Sequence, residues 1–185
     1  MVTQMDEVPI HILHLNQDDP RKCTARMISN AGLAILHPST SSIPSRGLLL
    51  DPTCGIIQGP EDKRIMEMGG SLVALDCSWK QLGPSIDDIT LSTNLQHRTL
   101  PVLLAANPVS WGQPGRLSTA EAISASLILL GRDNHAAKIL SRLPFGDEFL
   151  KLNNQPLSAY SKAKSTDELV NMQWEFFDEP QSSDQ

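Results

Sequence analysis

Residues Ser71–Trp79 read SLVALDCSW. Small and apolar side chains run straight into an acid, a thiol, a hydroxyl and an indole. A short apolar run of this kind predicts a buried strand of a parallel sheet. The charged side chain at its end predicts that the strand leaves the sheet there. Ligands of open parallel sheets bind beyond the carboxyl ends of the strands, so Asp76 is the first candidate site residue.

Outward from this strand, the N-terminal half alternates strands with short helices. VPIHILHL (Val8–Leu15) predicts the first strand. Asp18, Asp19 and Pro20 predict a turn, with Pro20 in the first turn of a helix that runs through Arg26 to about Asn30 and stops at Gly32. GLAIL (Gly32–Leu36) and LLLD (Leu48–Asp51) read as further strands, and PEDKRIMEMGG as a short helix closed by two glycines. The alternation predicts an α/β unit with a mainly parallel sheet. LGPSIDDITLSTNLQHRT (Leu82–Thr99) reads as a linker or an irregular segment.

Beyond about Leu104 the pattern is helical. Ser118 and Glu121 form a capping box at the start of LSTAEAISASLILLG, with Ile123, Leu127 and Leu130 on one face and Gly131 at the stop. DNHAAKILSRL is a helix with Ala137, Ile139 and Leu140 for the core. PFGDEFLKLNNQPLSAYSKAK gives one more short helix. Ser165 and Glu168 predict a second capping box. The boundaries are an α/β domain over 1–99, a helical domain over 100–176 and a disordered tail over 177–185.

The chain has 185 residues and 40% hydrophobic residues, enough to bury a sizeable core. Its net charge of -6 excludes a protein that coats nucleic acid by bulk charge, though not one with a local basic groove. Three cysteines, Cys23, Cys54 and Cys77, with no C-x-x-C spacing, point away from a disulfide framework and a zinc site and toward a reducing, cytoplasmic setting. The N-terminus carries no signal-peptide pattern. No apolar run approaches the ~20 residues that span a bilayer.

Dinucleotide, P-loop, nucleophile-elbow and zinc-protease motifs are all missing. His11 and His14, three apart on a strand, face opposite ways and read as ordinary strand histidines, and no metal site is expected. DDPRKCTA, LDCSW and LLAANPVSWGQPGRLSTAEA remain. The first two stretches lie at carboxyl ends of strands and carry carboxylates. The third ends at a helix N-terminus, where backbone amides favour an anion. A zwitterion with a positive centre, such as S-adenosylmethionine, suits these groups, as do other zwitterions.

DDPRKCTA, LLLDP, VALDCSW, LPVLLAANPVSWGQPGRLSTAEAISASLILLG and FLKLN…LSAY together resemble the ribosome-biogenesis aminocarboxypropyltransferases, in family order from about Leu13 to about Tyr160. The resemblance implies a SPOUT-like knotted α/β fold, with an N-terminal parallel-sheet half, a C-terminal all-helical half and S-adenosylmethionine between them. It implies transfer of the 3-amino-3-carboxypropyl group to N3 of a uridine or pseudouridine of small-subunit rRNA, with release of 5′-methylthioadenosine. A SPOUT-type RNA methyltransferase and a non-catalytic rRNA-binding assembly factor are the alternatives.

Carried over by motif, Thr24 holds the amino-acid arm and Leu75 the ribose through its backbone. Leu50, Pro52 and Leu100 wall the adenine, and Gly115 and Thr119 complete the pocket. Gly115 stands where the family has a larger residue such as Tyr, and Trp111 where Tyr is common. Trp79 packs on the sulfonium. Asp76 either pairs with the ligand's ammonium or draws the N3 proton; the first is favoured, because that proton is already weakly acidic. Arg21, Lys22, Arg26, Lys63, Arg64, Arg98 and Arg116 are the candidate RNA contacts, with positive potential confined to the cofactor-side face. A monomer is expected.

Overall fold

The computed structural model describes residues 7–16 and 19–180. Five strands form one sheet: β1 (Ile10–His14), β2 (Ile35–His37), β3 (Gly47–Leu50), β4 (Ser71–Asp76) and β5 (Gln96–Arg98). Every pairing is parallel, in the order β2-β1-β4-β3-β5. Side chains alternate between the two faces. Ile10, Ile12, Leu48, Leu50, Leu72 and Ala74 point to the large core, and Leu13, Leu49 and Val73 to a smaller one on the other face. By the same alternation His14 and Asp76, which face each other in register, lie on the large-core side.

Helices α1 (Thr24–Asn30) and α4 (Thr119–Leu129) cover that side. The remaining helices are α2 (Lys63–Glu67), α3 (Trp79–Ser92), α5 (Asp133–Leu140), α6 (Gly146–Leu152), α7 (Asn154–Lys162) and α8 (Thr166–Phe176). The capping box of α4 forms as expected, with the Glu121 amide donating to the Ser118 hydroxyl and the Ser118 amide to the Glu121 carboxylate. Its burial is wider than the one-face pattern predicted: Ala120, Glu121 and the run from Ile123 to Leu129 are all buried. The reason is position, since α4 packs against α1 and β4 on one side and α5 and α7 on the other.

Five expectations need correction. Leu82–Thr99 is not a linker. It holds most of the 14-residue α3, then β5. Gly83 and Pro84 are helix breakers by local propensity, yet α3 runs through both, with Pro84 in its second turn. Leu82, Ser85 and Ile89 keep a helical spacing of buried positions, and Ile89 covers the second face of the sheet. Helix α1 begins at Thr24, and Pro20 lies in the turn before it. Asp18 lies outside the described residues. In α5 the buried alanine is Ala136, and Ala137 faces out. PFGDEFLKLNNQPLSAYSKAK forms two helices, α6 and α7, hinged at Asn153, whose side chain bonds the backbone of Leu104. The second capping box is half formed: Ser165 accepts from the Glu168 amide, but the Glu168 carboxylate takes the Lys164 amide instead. Of the expected tail, residues 181–185 lie outside the described residues.

Gly47 shows why β3 can lie so close to β4. Its φ is +137°, and a Cβ there would stand 1.8 Å from the carbonyl oxygen of Ser71. Backbone, not a flexible side chain, blocks the space. Gly47→Ala should therefore cost at least about 3 kcal/mol and lower the melting temperature by roughly 6–12 °C. A calorimetric melt checks this; an unchanged midpoint would contradict the packing described.

Candidate functional site

The cleft lies where the chain reverses its direction of travel across the sheet, between the carboxyl ends of β1 and β4. That is where open parallel sheets bind ligands. Its volume is about 1090 Å³, and it opens between the sheet ends, the start of α1, the segment from Arg98 to Val102, the loop from Asn107 to Gly115 and the start of α4.

Its polar centre is Asp76. The His14 Nδ1–H donates to Asp76 Oδ2 at 2.6 Å, the Cys23 thiol to the same oxygen at 3.3 Å, and the Thr119 hydroxyl to Oδ1 at 3.3 Å. The Asp76 side chain is 12% exposed. An isolated carboxylate in such a place would cost several kcal/mol, and three donors offset that. Burial, and next the Asp76 carboxylate, push the Cys23 thiol above its usual range. Donor atoms of His14, Cys23 and Asp76 lie within 4.8 Å of one another, a spacing three metal ligands could have. Hydrogen bonds already engage the Cys23 thiol and the Asp76 carboxylate, while the buried Nε2 of His14 has no partner among the described residues.

A second link runs from Thr24, whose hydroxyl oxygen accepts from the Ala120 amide at 3.2 Å. The hydroxyl proton stays available to a ligand. The first turn of α4 is thus less open than a bare helix end: the Ala120 and Glu121 amides are taken by Thr24 and Ser118. Among the described residues the Thr119 amide has no partner. Strand β4 adds backbone of its own. Its ladder with β3 ends at Leu49–Val73, while β1 follows it to Asp76. Beyond Val73, Leu75 has no ladder partner on the β3 side among the described residues.

Thr24, Leu50, Pro52, Leu75, Asp76, Leu100, Gly115 and Thr119 all line this one cleft. The Trp79 side chain lies outside the described part. Gly115 has a φ of +69°, which a larger residue reaches only with strain. Among the cations, Arg21 and Lys22 line the cleft, while Arg26, Lys63, Arg64 and Arg116 are not among its lining residues. Arg26 is bonded to Asn16. Arg98 borders the cleft, but its guanidinium is held inside by both oxygens of Asp62 and by the His97 carbonyl. That ion pair removes it from the set of free phosphate contacts.

Sequence reasoning passed over Asp51 and read His14 as an ordinary strand histidine, which its bond to Asp76 corrects. Asp51 is 2% exposed and borders the cleft. Burial pushes its carboxyl up, but donors from His97 and from the Thr53 hydroxyl and amide outweigh this and hold it below the usual range. Its sequence signal was D-x-T, an acid with a turn hydroxyl two residues on. His14 had no such signal, because its pairing to Asp76 depends on strand order.

The Asn107–Gly115 loop is held by one buried carboxylate. Glu121, 0% exposed, accepts from the amides of Ala106, Asn107 and Ser118 and from the Asn107 side chain, at 2.6–3.1 Å.

Comparison with known proteins adds three findings. A family model described as ribosome biogenesis protein, C-terminal, matches residues 48–177. Proteins named 16S rRNA aminocarboxypropyltransferase are similar. That of Methanosarcina mazei is 38% identical over 92% of this chain and 96% of its own. That of Halobacterium salinarum is 39% identical over 91% and 96%. The solved structure of Tsr3 from Vulcanisaeta distributa, described as a SAM-dependent rRNA:acp-transferase, superposes with a TM-score of 0.76 at 33% identity, covering 91% of this chain and 95% of that one. A further model, described as a possible Fer4-like domain in RNase L inhibitor, matches residues 8–41. That stretch holds Cys23 alone, and the whole chain has three cysteines, so the four-thiolate ligand set of an iron–sulfur cluster is missing.

Two predictions follow from the site's polar contacts. Glu121→Ala leaves its donors buried and unpaired, and should cost about 3 kcal/mol or more in chemical denaturation. A loss under 1 kcal/mol would mean the carboxylate does not hold the loop. Asp51 has a depressed folded-state pKa, so its contribution is complete above the unfolded value near pH ~4 and is lost as pH falls from there. Asp51→Asn should reduce stability at pH 7 and flatten its fall below about pH 4; an unchanged slope would contradict the assignment.

Proposed function

We propose, for a chain that belongs to the rRNA aminocarboxypropyltransferase family of ribosome-biogenesis proteins, that it transfers the 3-amino-3-carboxypropyl group of S-adenosylmethionine to N3 of a uridine or pseudouridine in small-subunit rRNA. 5′-Methylthioadenosine is the second product. The observation that carries this reading is the convergence of Thr24, Leu50, Pro52, Leu75, Asp76, Leu100, Gly115 and Thr119 on one cleft with an anionic centre and an apolar wall.

The cleft fits the cofactor in size and in its donor set. Leu50, Pro52 and Leu100 offer an apolar wall for the adenine, and Leu75 offers unpaired backbone for the ribose. The Thr24 hydroxyl and the Thr119 amide suit a carboxylate, and Asp76 suits an ammonium. Bound, S-adenosylmethionine supplies a sulfonium-activated carbon at the start of its aminocarboxypropyl arm. Which carbon reacts is a matter of which one the pocket leaves in line with the nucleophile. The protein's part is to grip both ends of the arm and leave that carbon uncovered.

Asp76 serves here as the amine anchor. Its oxygens already accept from His14, Cys23 and Thr119. A carboxylate offers about four lone-pair sites, which leaves room for an ammonium donor. As a base, Asp76 would trade those bonds for a proton, and solvent can take the weakly acidic N3 proton instead. Arg21 and Lys22 at the mouth, with Arg116 next to Gly115, are the proposed phosphate contacts. The reading also includes a SPOUT-like knotted path, an α/β half over 1–99 with a helical half over 100–176, and a cytoplasmic monomer. Among the described residues no helix is long and apolar enough to cross a membrane.

Two labels test the reaction. Incubated with rRNA, cofactor labelled in its carboxyl group should mark the RNA, and cofactor labelled in its methyl group should not. Transfer of the methyl label alone would replace this reading with a methyltransferase. Asp76→Asn should weaken cofactor binding by about tenfold or more, with no change in the pH profile of the remaining activity. Unchanged affinity with a profile that loses its acid limb would make Asp76 a base.

A further inference from the structure

The reaction proposed above requires one base to enter the cleft, and the following inference rests on that reading. The base next to it in the strand then loses one of its stacking partners. The loop from Asn107 to Gly115 forms part of the rim, through Asn107, Pro108, Val109, Pro114 and Gly115. From this rim Val109 and Trp111 stand out into solvent, 80% and 58% exposed. Tryptophan is highly buried on average, so an indole more than half exposed beside a cleft marks a contact surface.

The backbone of the loop that carries that indole is pinned. The Gly112 amide donates to the Ala105 carbonyl at 2.6 Å, the Gln113 amide to Ser110 at 3.0 Å and the Gly115 amide to Leu103 at 2.9 Å. The Ser110 amide donates to the Asn107 side chain at 3.0 Å, and Asn107 is itself tied to the buried Glu121. Val109 is two residues from Trp111, which puts their Cα atoms at most about 7.6 Å apart. The residue that carries the exposed indole is therefore one short step from the cleft, and its backbone is fixed before any ligand arrives. Preorganised groups lose less entropy on binding.

Charge selects the occupant. Arg116 is exposed, with no carboxylate partner among the described residues, and it follows Gly115 directly. Lys22, and Arg21 with its solvent-exposed pairing to Asp19, border the same cleft from the β1–α1 connection. On a chain of net charge -6, cations gathered beside an exposed aromatic fit an unpaired polynucleotide strand better than an apolar protein face. We propose that Trp111 is a stacking platform for the unpaired nucleobase beside the one that is modified, with Val109 as its apolar edge and Arg116 as its phosphate contact.

Trp111→Ala and Trp111→Tyr test this against the parent, with a uridine-containing single-stranded oligoribonucleotide as probe. The single strand should quench the emission that Trp111 contributes, taken as parent minus Trp111→Ala. Its duplex should quench far less. RNA affinity should fall about tenfold in Trp111→Ala and recover in Trp111→Tyr, while S-adenosylmethionine affinity stays the same in all three proteins. Equal RNA affinity in parent and Trp111→Ala would overturn the platform. So would a joint loss of RNA and cofactor affinity, or equal quenching by duplex. A parent that stacks the single strand but transfers nothing from the cofactor would sink the reaction and support the platform.

Discussion

The Asp76 carboxylate is the bond on which the cleft depends. It accepts hydrogen bonds from β1 through His14, from the residue preceding α1 through Cys23 and from the first residue of α4 through Thr119. It stands at the last position of β4. Sheet, first helix and C-terminal half therefore meet at one anion. A carboxylate at the end of a buried strand is costly without partners, so the elements that supply donors are drawn to it. The Thr24–Ala120 bond beside it repeats the link between α1 and α4.

One consequence is that the larger of the two cores runs from the sheet into the C-terminal helices. The large cluster includes Ile12, Leu72 and Ala74 of the sheet, Ile28 of α1, Ile123 and Leu127 of α4, and Phe149, Leu157 and Tyr160 from the later helices. The other is a cleft whose walls are fixed. Glu121 secures the loop on one side, and Asp51, with His97 and Thr53, secures the end of β3. Selecting one carbon of a sulfonium for attack demands such walls, because the choice between neighbouring carbons is one of placement alone.

Much of this was legible in the sequence, and the gaps have physical causes. Strands β1, β3 and β4 are apolar runs, and both of their faces are buried, so hydrophobicity alone located them. The α4 start was legible because a capping box is local. Helix α3 was hidden by Gly83 and Pro84, which are breakers by local propensity; the burial of Leu82, Ser85 and Ile89 along one side of the helix overrides them. Strand β5 is Gln96–Arg98, polar and short, and exists because the β3 backbone offers it a ladder. His14 and Arg98 show the limit for side chains. Each is defined by a partner distant in sequence, Asp76 on the neighbouring strand and Asp62 in the turn before α2, and only the tertiary fold brings them together. The cofactor positions came from the family resemblance, and their meeting in one cleft could not be read from spacing.

A crystal structure with bound S-adenosylmethionine tests the central claim most directly. The account predicts the amino group within hydrogen-bond reach of Asp76, the carboxylate at the Thr24 hydroxyl and the Thr119 amide, and the first carbon of the aminocarboxypropyl arm facing the open mouth between Arg21 and the Asn107–Gly115 loop. A bound cofactor whose methyl carbon faces that mouth, with its amino group away from Asp76, would contradict it.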